Sequence, residues 1–143
     1  MNYSVTLEPS DNDDVLAAVR RGIRGGDPPD VGPRDYEPLV VALRDAGGAV
    51  VGGAYGATMW GWLMLDGLWV DAALRGQGLG GRVLGEAEAV ARRRGCRAVW
   101  LDTFDFQARP FYERQGYRVV AALENFPAGH THYRLRKDLE PAV

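Results

Sequence analysis

The stretch Leu68-Trp-Val-Asp-Ala-Ala-Leu-Arg75-Gly-Gln-Gly-Leu-Gly-Gly81, running on into residues 82–92, constrains this chain more than any other. It begins as an apolar strand, passes through an arginine- and glycine-rich turn, and becomes helical. Leu79, Val83, Leu84, Ala87, Val90 and Ala91 recur at helical spacing, while Arg82, Glu86, Arg92 and Arg93 take the other side. No Ser, Thr, Asp or Asn stands at the N-cap position, so the free N–H groups of the first turn have no side-chain acceptor. Glycines at 76, 78, 80 and 81 leave those amides uncovered and let another group approach the backbone. A helix N-terminus carries partial positive charge and Arg75 adds a full one, so an anionic ligand is the natural missing cap. A turn that merely precedes a core helix is the plainer reading. It leaves the glycines unexplained, because they weaken a helix start for no structural gain.

The rest of the chain alternates between strand and helix patterns. Tyr3-Ser-Val-Thr-Leu reads as a short edge strand, and Pro9-Ser10-Asp11 introduces a helix capped by Ser10 or Asp11 with Val15, Leu16 and Val19 as its stripe. Residues 27–38 form a proline-rich loop carrying Asp27, Asp30, Asp35 and Glu37, read either as a solvated connection or as substrate-facing. Residues 39–44 and 49–56 are strands joined by the hairpin turn Asp45-Ala-Gly-Gly48. Residues 59–65 form the next strand, with a bulge at Asp66-Gly67 before Leu68-Trp-Val. Gly95 stops the long helix, residues 98–104 make an apolar central strand, and residues 107–115 make a short helix ended by Gly116. Residues 117–123 and 131–137 are the last strands. The order β-α-β-β-β-α-β-α-β-β is mixed α/β around a single sheet.

Gly76-x-Gly78-x-x-Gly81 formally meets the dinucleotide fingerprint, with Asp102 about where its ribose-binding acid belongs. These glycines come only after a linker at residues 71–75, however, and the remaining chain is too short for the rest of a doubly wound domain. No Gly-Lys-Ser/Thr follows, so a Walker loop is excluded. The stretch resembles motif A of the GNAT superfamily, the acyl-CoA-dependent N-acyltransferases: Arg75-Gly-Gln-Gly78-Leu-Gly80 meets the pattern Arg/Gln-x-x-Gly-x-Gly/Ala in full. Residues 103–117, with Phe111-Tyr112 ahead of Gly116-Tyr117, look like motif B. Asn125-Phe-Pro-Ala-Gly-His-Thr is similar to a segment of small bacterial GNAT proteins, most of them of unassigned acceptor.

The resemblance implies one GNAT domain over residues 1–143. Its single mixed sheet would have helices on both faces and be splayed where the pantetheine arm of coenzyme A enters. It implies cofactor contacts from Leu68, Trp69, Val70, Arg75, Gly76, Gln77, Gly78, Leu79, Gly80, Gly81, Phe111 and Tyr112. The matching tyrosine, Tyr112, would act as general acid toward the coenzyme A thiolate. The implied reaction moves acetyl from acetyl-CoA to a small-molecule or peptide amine. A non-catalytic acyl-CoA-binding or partner-binding module on the same fold is the alternative. Homodimers are frequent in the superfamily, and the last strands offer an edge for one.

Amide formation needs a proton acceptor for the amine, a donor for the leaving thiolate and a stabiliser for the oxyanion. A backbone N–H near Trp69 or Val70 is the expected oxyanion donor. Glu37, Asp66 and Asp102 are the candidate bases. Cys96, at the far end of its strand from Tyr112, is not expected to act covalently, so transfer is direct. His130 and His132 share a strand face, but no Cys or third His joins them, and no metal is expected. Trp60 and Trp62, with Tyr55, would wall either an acceptor pocket or the core. With the acidic loop they favour a cationic amine. Net charge is −2 with dispersed basic residues, which argues against general nucleic-acid binding. One cysteine, no membrane-spanning apolar run and no signal-peptide pattern predict a cytoplasmic protein.

Overall fold

The computed structural model describes residues 2–141. The chain divides into two compact units, one ending at Pro33 and one beginning at Arg34. In the first unit, helix α1 spans Asp13–Gly25. Its cap is Asn12, whose side-chain oxygen accepts from the Val15 N–H at 3.3 Å, and not Ser10 or Asp11 as the sequence suggested. Asp13 and Asp14 in the first turn and Arg24 in the last suit the helix dipole. Residues 3–7 form no strand, and Tyr3, Val5 and Leu7 are exposed. Alternation there lacks the ladder partner that would turn it into sheet.

The second unit is a six-stranded sheet with two helices. Strands β1 (Glu37–Arg44), β2 (Val50–Met59) and β3 (Trp62–Val70) form an antiparallel meander. After helix α2 (Leu79–Arg93), β4 (Ala98–Phe104) pairs parallel to β3, as a strand returning through a helical crossover does. Helix α3 (Arg109–Arg114) leads to β5 (Arg118–Glu124) and β6 (Thr131–Asp138), giving the order β1-β2-β3-β4-β6-β5. The hairpin between β2 and β3 is tighter than the sequence suggested. Met59 ends β2, and Trp60 and Gly61, both at positive φ, make the turn. A tryptophan in that conformation is uncommon, and Arg34 lies over its ring at 4.6 Å.

One core cluster joins the sheet to α2 and α3. Leu63, Leu84, Leu101, Leu135 and Val99 are its largest fully buried side chains. Period-two alternation along β4 places Val99, Leu101 and Thr103 toward this core. The other face carries aromatic–arginine pairs, with Arg136 over Trp62 and Arg134 over Trp100. Among the described residues no helix is long and apolar enough to cross a membrane.

Candidate active site

The site arises from one extra residue. β3 and β4 pair only from Trp62↔Ala98 to Leu65↔Leu101. On the other side of β3, Gly56 pairs with Leu65 and Tyr55 with Gly67, which leaves Asp66 bulged out of the ladder. Two glycines permit this. A Cβ at Gly56 would run into the Met64 carbonyl, and one at Gly67 would run into the Tyr55 ring. The bulge increases local twist and bends β3 away from β4. A cleft of about 940 Å³ opens between them. Its walls are residues 65–70 of β3, Leu101, Asp102 and Thr103 of β4, the glycine turn, and α3 with the segment before it.

Ladder alternation decides which amides face the gap. The Asp71 N–H donates to the Val51 carbonyl, so the Trp69 N–H is also turned toward β2, and Leu68 and Val70 present theirs to the splay. Consistent with this, the Val70 carbonyl on the gap side accepts from Arg75 Nε at 3.3 Å. Of the two amides expected near the oxyanion, that of Val70 faces the gap and that of Trp69 faces β2.

At the mouth, Asp71 caps a single 3₁₀ turn by accepting from the Ala73 N–H at 3.0 Å, and the chain then enters α2 through Gly78 at φ 76°. Gly78 is the N-cap and supplies no side-chain hydrogen bond. None of the N–H groups from residue 76 to 81 has a protein acceptor among the described residues. Gly76 and Gly78 lie at positive φ with open space where a Cβ would stand. Gly80 and Gly81 have a different use, since a Cβ there would crowd Phe111 at 3.3 Å and Gln115 at 3.4 Å. The cradle and the exposed Arg75 guanidinium fit a pyrophosphate, and the splay fits an extended arm with its own amides.

Tyr112 stands on α3 and lines the cleft, the residue being 8% exposed. Burial raises its phenol above the ordinary value, so the hydroxyl stays protonated at neutral pH. That hydroxyl has no hydrogen-bond partner among the described residues, while the ring meets Phe111 at 5.1 Å and Tyr117 at 5.8 Å. Behind it lies a network absent from the sequence reading. The Tyr117 hydroxyl donates to Glu88 at 2.8 Å and Lys137 Nζ donates to the same buried carboxylate at 3.1 Å. Burial, and then the Glu88 charge, push the Tyr117 phenol far above its usual range. Glu88 follows Leu84 by four and precedes Ala91 by three, so it sits on the apolar stripe, and that position was the available signal.

The candidate bases separate clearly. Glu37 pairs in register with Thr58, at the closed end of the sheet, does not line the cleft, and forms an ion pair with Arg94 at 3.4 Å. Strand register carries it away from the splay, so the structure does not bring it together with Tyr112. Asp102 lines the cleft but is gripped by Arg134 at 2.8 and 3.0 Å and approached by His132 Nε2 at 3.4 Å. Asp66 lines the cleft at the bulge, exposed and without an ion-pair partner among the described residues.

Cys96 is buried outside the cleft lining, and desolvation pushes its thiol up despite Arg94 and Arg97. Trp60 and Trp62 fall at the closed end of β3 and wall no part of the cleft, whereas Trp69 lines it. His130 and His132 each face their own carboxylate, Asp105 at 2.9 Å and Asp102 at 3.4 Å. Gln107 and Phe106 were missed as lining. The Gln107 side-chain oxygen accepts from Thr103 Oγ1 and from the Phe104 N–H, and so fixes the approach to α3.

The profile described as "Acetyltransferase (GNAT) family" matches residues 17–117. The chain belongs to the GNAT family. Among its relatives, a blasticidin-S acetyltransferase of Streptomyces morookaense is 47% identical over 93 residues, spanning 64% of this chain and 68% of that one. An acetyltransferase of Agrobacterium fabrum is 36% identical over 106 residues, spanning 74% of this chain and 77% of the relative. The crystal structure of an acetyltransferase from Bacillus cereus superposes with a TM-score of 0.83 at 29% identity, covering 96% of this chain and 98% of that one. This GNAT protein is thus an acyl-CoA-dependent acetyltransferase.

Proposed function

We propose that the protein transfers the acetyl group of acetyl-CoA to a primary amine on a small molecule, by direct attack without an acyl-enzyme. The observation that carries this reading is the buried, protonated Tyr112 hydroxyl, which lines the cleft without a protein partner among the described residues. When bound, acetyl-CoA supplies a thioester whose carbonyl accepts the amine and whose sulfur departs as thiolate.

The protein's own groups do the rest. The uncovered N–H groups of residues 76–81 and the Arg75 guanidinium hold the pyrophosphate. Exposed backbone of Leu68 and Val70 pairs with the pantetheine amides, and the Val70 N–H stabilises negative charge developing on the carbonyl oxygen. Tyr112 gives its proton to the leaving sulfur, which a phenol shielded from water does readily only when the acceptor is a strong base such as a thiolate. Asp66 accepts the proton of the incoming ammonium, directly or through one water, from the lip of the same cleft. The relative that acts on blasticidin S supports a small-molecule acceptor over a protein one, and blasticidin S is itself a first compound to assay.

The test is a thiol-release assay with acetyl-CoA and an amine panel, together with calorimetry of acetyl-CoA binding. Tyr112→Phe should lower kcat by roughly 10²- to 10⁴-fold, the usual range for a lost acid catalyst, and leave acetyl-CoA affinity within about twofold. Unchanged turnover would remove Tyr112 from the mechanism. Absence of acetyl-CoA binding at hundredfold excess would remove the reading as a whole.

A further inference from the structure

Beside the cleft, which Phe106 lines, five rings from two stretches of chain, 104–106 and 126–132, form a continuous wall. Phe104 and His132 face each other across β4 and β6, with ring centroids 5.1 Å apart. Phe126, from the loop between β5 and β6, stacks on His132 at 5.1 Å and tilts onto Phe104 at 5.4 Å. Phe106 stacks on Phe104 at 5.2 Å and meets His130 edge-on at 5.0 Å. A cluster serving only to pack would bury its rings, yet Phe106 is 56% and Phe126 48% exposed.

The wall is also held by hydrogen bonds. Asp105 accepts from the Thr131 N–H at 3.0 Å and pairs with His130 Nδ1 at 2.9 Å. An ionised carboxylate only accepts, so His130 carries its proton on Nδ1. The loop closes on itself, with the Phe126 N–H donating to the His130 carbonyl and the His130 N–H to the Pro127 carbonyl. Desolvation pulls the Asp105 carboxyl up, and the hydrogen bonds from His130 and Thr131 outweigh it, leaving it below its ordinary value.

Two features connect this wall to the chemistry. Phe106 lines the cleft as well as belonging to the wall, so the two surfaces are continuous. The carboxylates differ in how fully they are matched: Asp102 is met by Arg134, Asp105 by His130, and Asp66, on the same cleft, by no ion-pair partner among the described residues. A ring fits at one end and a cation at the other.

Building on the amine-acetyltransferase reading, we propose that the acceptor is an amine borne on a planar aromatic ring. The ring lies against the exposed faces of Phe106 and Phe126, and the amine is directed to the Asp66 side of the cleft. A linear polyamine or a saturated amine would cover the same surface without the ring-on-ring complementarity, which is worth roughly 2- to 12-fold in affinity.

The experiment compares 2-phenylethylamine with 2-cyclohexylethylamine, matched in length and differing in the planar ring. Values of kcat/KM are measured for the wild type, Phe106→Leu and Phe126→Leu, each checked for folding by thermal melting. The readout is the aromatic-to-saturated ratio in each variant divided by that in the wild type, which cancels the intrinsic reactivity of the amines. We expect the wild type to prefer the aromatic amine and each leucine variant to cut that preference by roughly 3- to 10-fold.

Three results would overturn the proposal: a ratio that the variants leave unchanged, a loss of acetyl-CoA affinity as large as the loss in amine kcat/KM, or no turnover of either amine while acetyl-CoA still binds. Failure of acetyl-CoA to bind would instead strike the underlying acetyltransfer reading, so the two failures are distinguishable.

Discussion

The two ends of the β3–β4 pair are made of similar residues and do opposite things. From Trp62 to Leu65 the strands hold a parallel ladder with Ala98–Leu101, with Leu63, Val99 and Leu101 sealed beneath it. Nearby, Arg94 clasps the sheet by donating to the carbonyls of Glu37 and Pro38 and to Thr58 Oγ1, each at 3.1 Å. From Asp66 to Val70 the same strand leaves its neighbour and lines a cleft. The difference is a single residue. Read without Asp66, the strand alternates perfectly, because Leu63, Leu65, Leu68 and Val70 then fall on one face. The shorter strand would keep the same core-facing set, so the bulge opens the cleft without adding to the core.

The comparison can be broken most directly by deleting Asp66. The core-facing set is retained, so the deletion variant should keep a cooperative unfolding transition. The splay should close, and acetyl-CoA binding, measured by calorimetry, should become undetectable. Asp66→Asn supplies the control: it should bind acetyl-CoA like the wild type and lose only turnover. A deletion variant that binds normally would show that the gap does not depend on the bulge.

The mirror-image change is Leu63→Ala at the closed end. Leu63 is fully buried, and truncation should cost about 2–5 kcal/mol in urea unfolding while leaving acetyl-CoA affinity of the folded protein unaltered. Gly78→Ala returns to the open end. Its φ of 76° imposes roughly 1–2 kcal/mol of strain on any residue with a Cβ, and the shifted cradle should weaken acetyl-CoA binding by about 5- to 10-fold.

The smallest effect concerns the rim. The Asp105 carboxyl is held below its ordinary value in the folded state. Such a group contributes stability above the unfolded carboxyl value of about 3.9 and loses it as pH falls through the lower folded value. The urea midpoint of the wild type should therefore drop on acidification more steeply than that of Asp105→Asn, and parallel curves would show that the His130 contact contributes nothing.

Where the sequence could be read and where it could not follows the same division. Elements defined by local pattern were legible: α2 without a side-chain cap, the bulge at Asp66-Gly67, the Gly95 and Gly116 stops, and β4 to the residue. Features defined by partners distant in sequence were not. Glu37 looked available until register placed it beside Thr58 and Arg94. Asp102 looked free until β6 brought Arg134 against it from 32 positions away. Residues 3–7 alternate like a strand, but alternation alone does not supply a ladder. The wall of Phe104, Phe106, Phe126, His130 and His132 assembles from two stretches twenty residues apart, so no short window of sequence contains it. Trp60 at positive φ went unseen because turn chemistry calls there for Asn or Gly.

One consequence follows from Gly78, the N-cap that brings no side chain of its own. If the proposed pyrophosphate takes that place, the cofactor becomes part of the folded structure. Saturation at a hundred times the dissociation constant would add about 2.7 kcal/mol to the stability of the liganded form. Empty molecules would lack that increment, and a comparison of urea midpoints with and without saturating acetyl-CoA measures it directly.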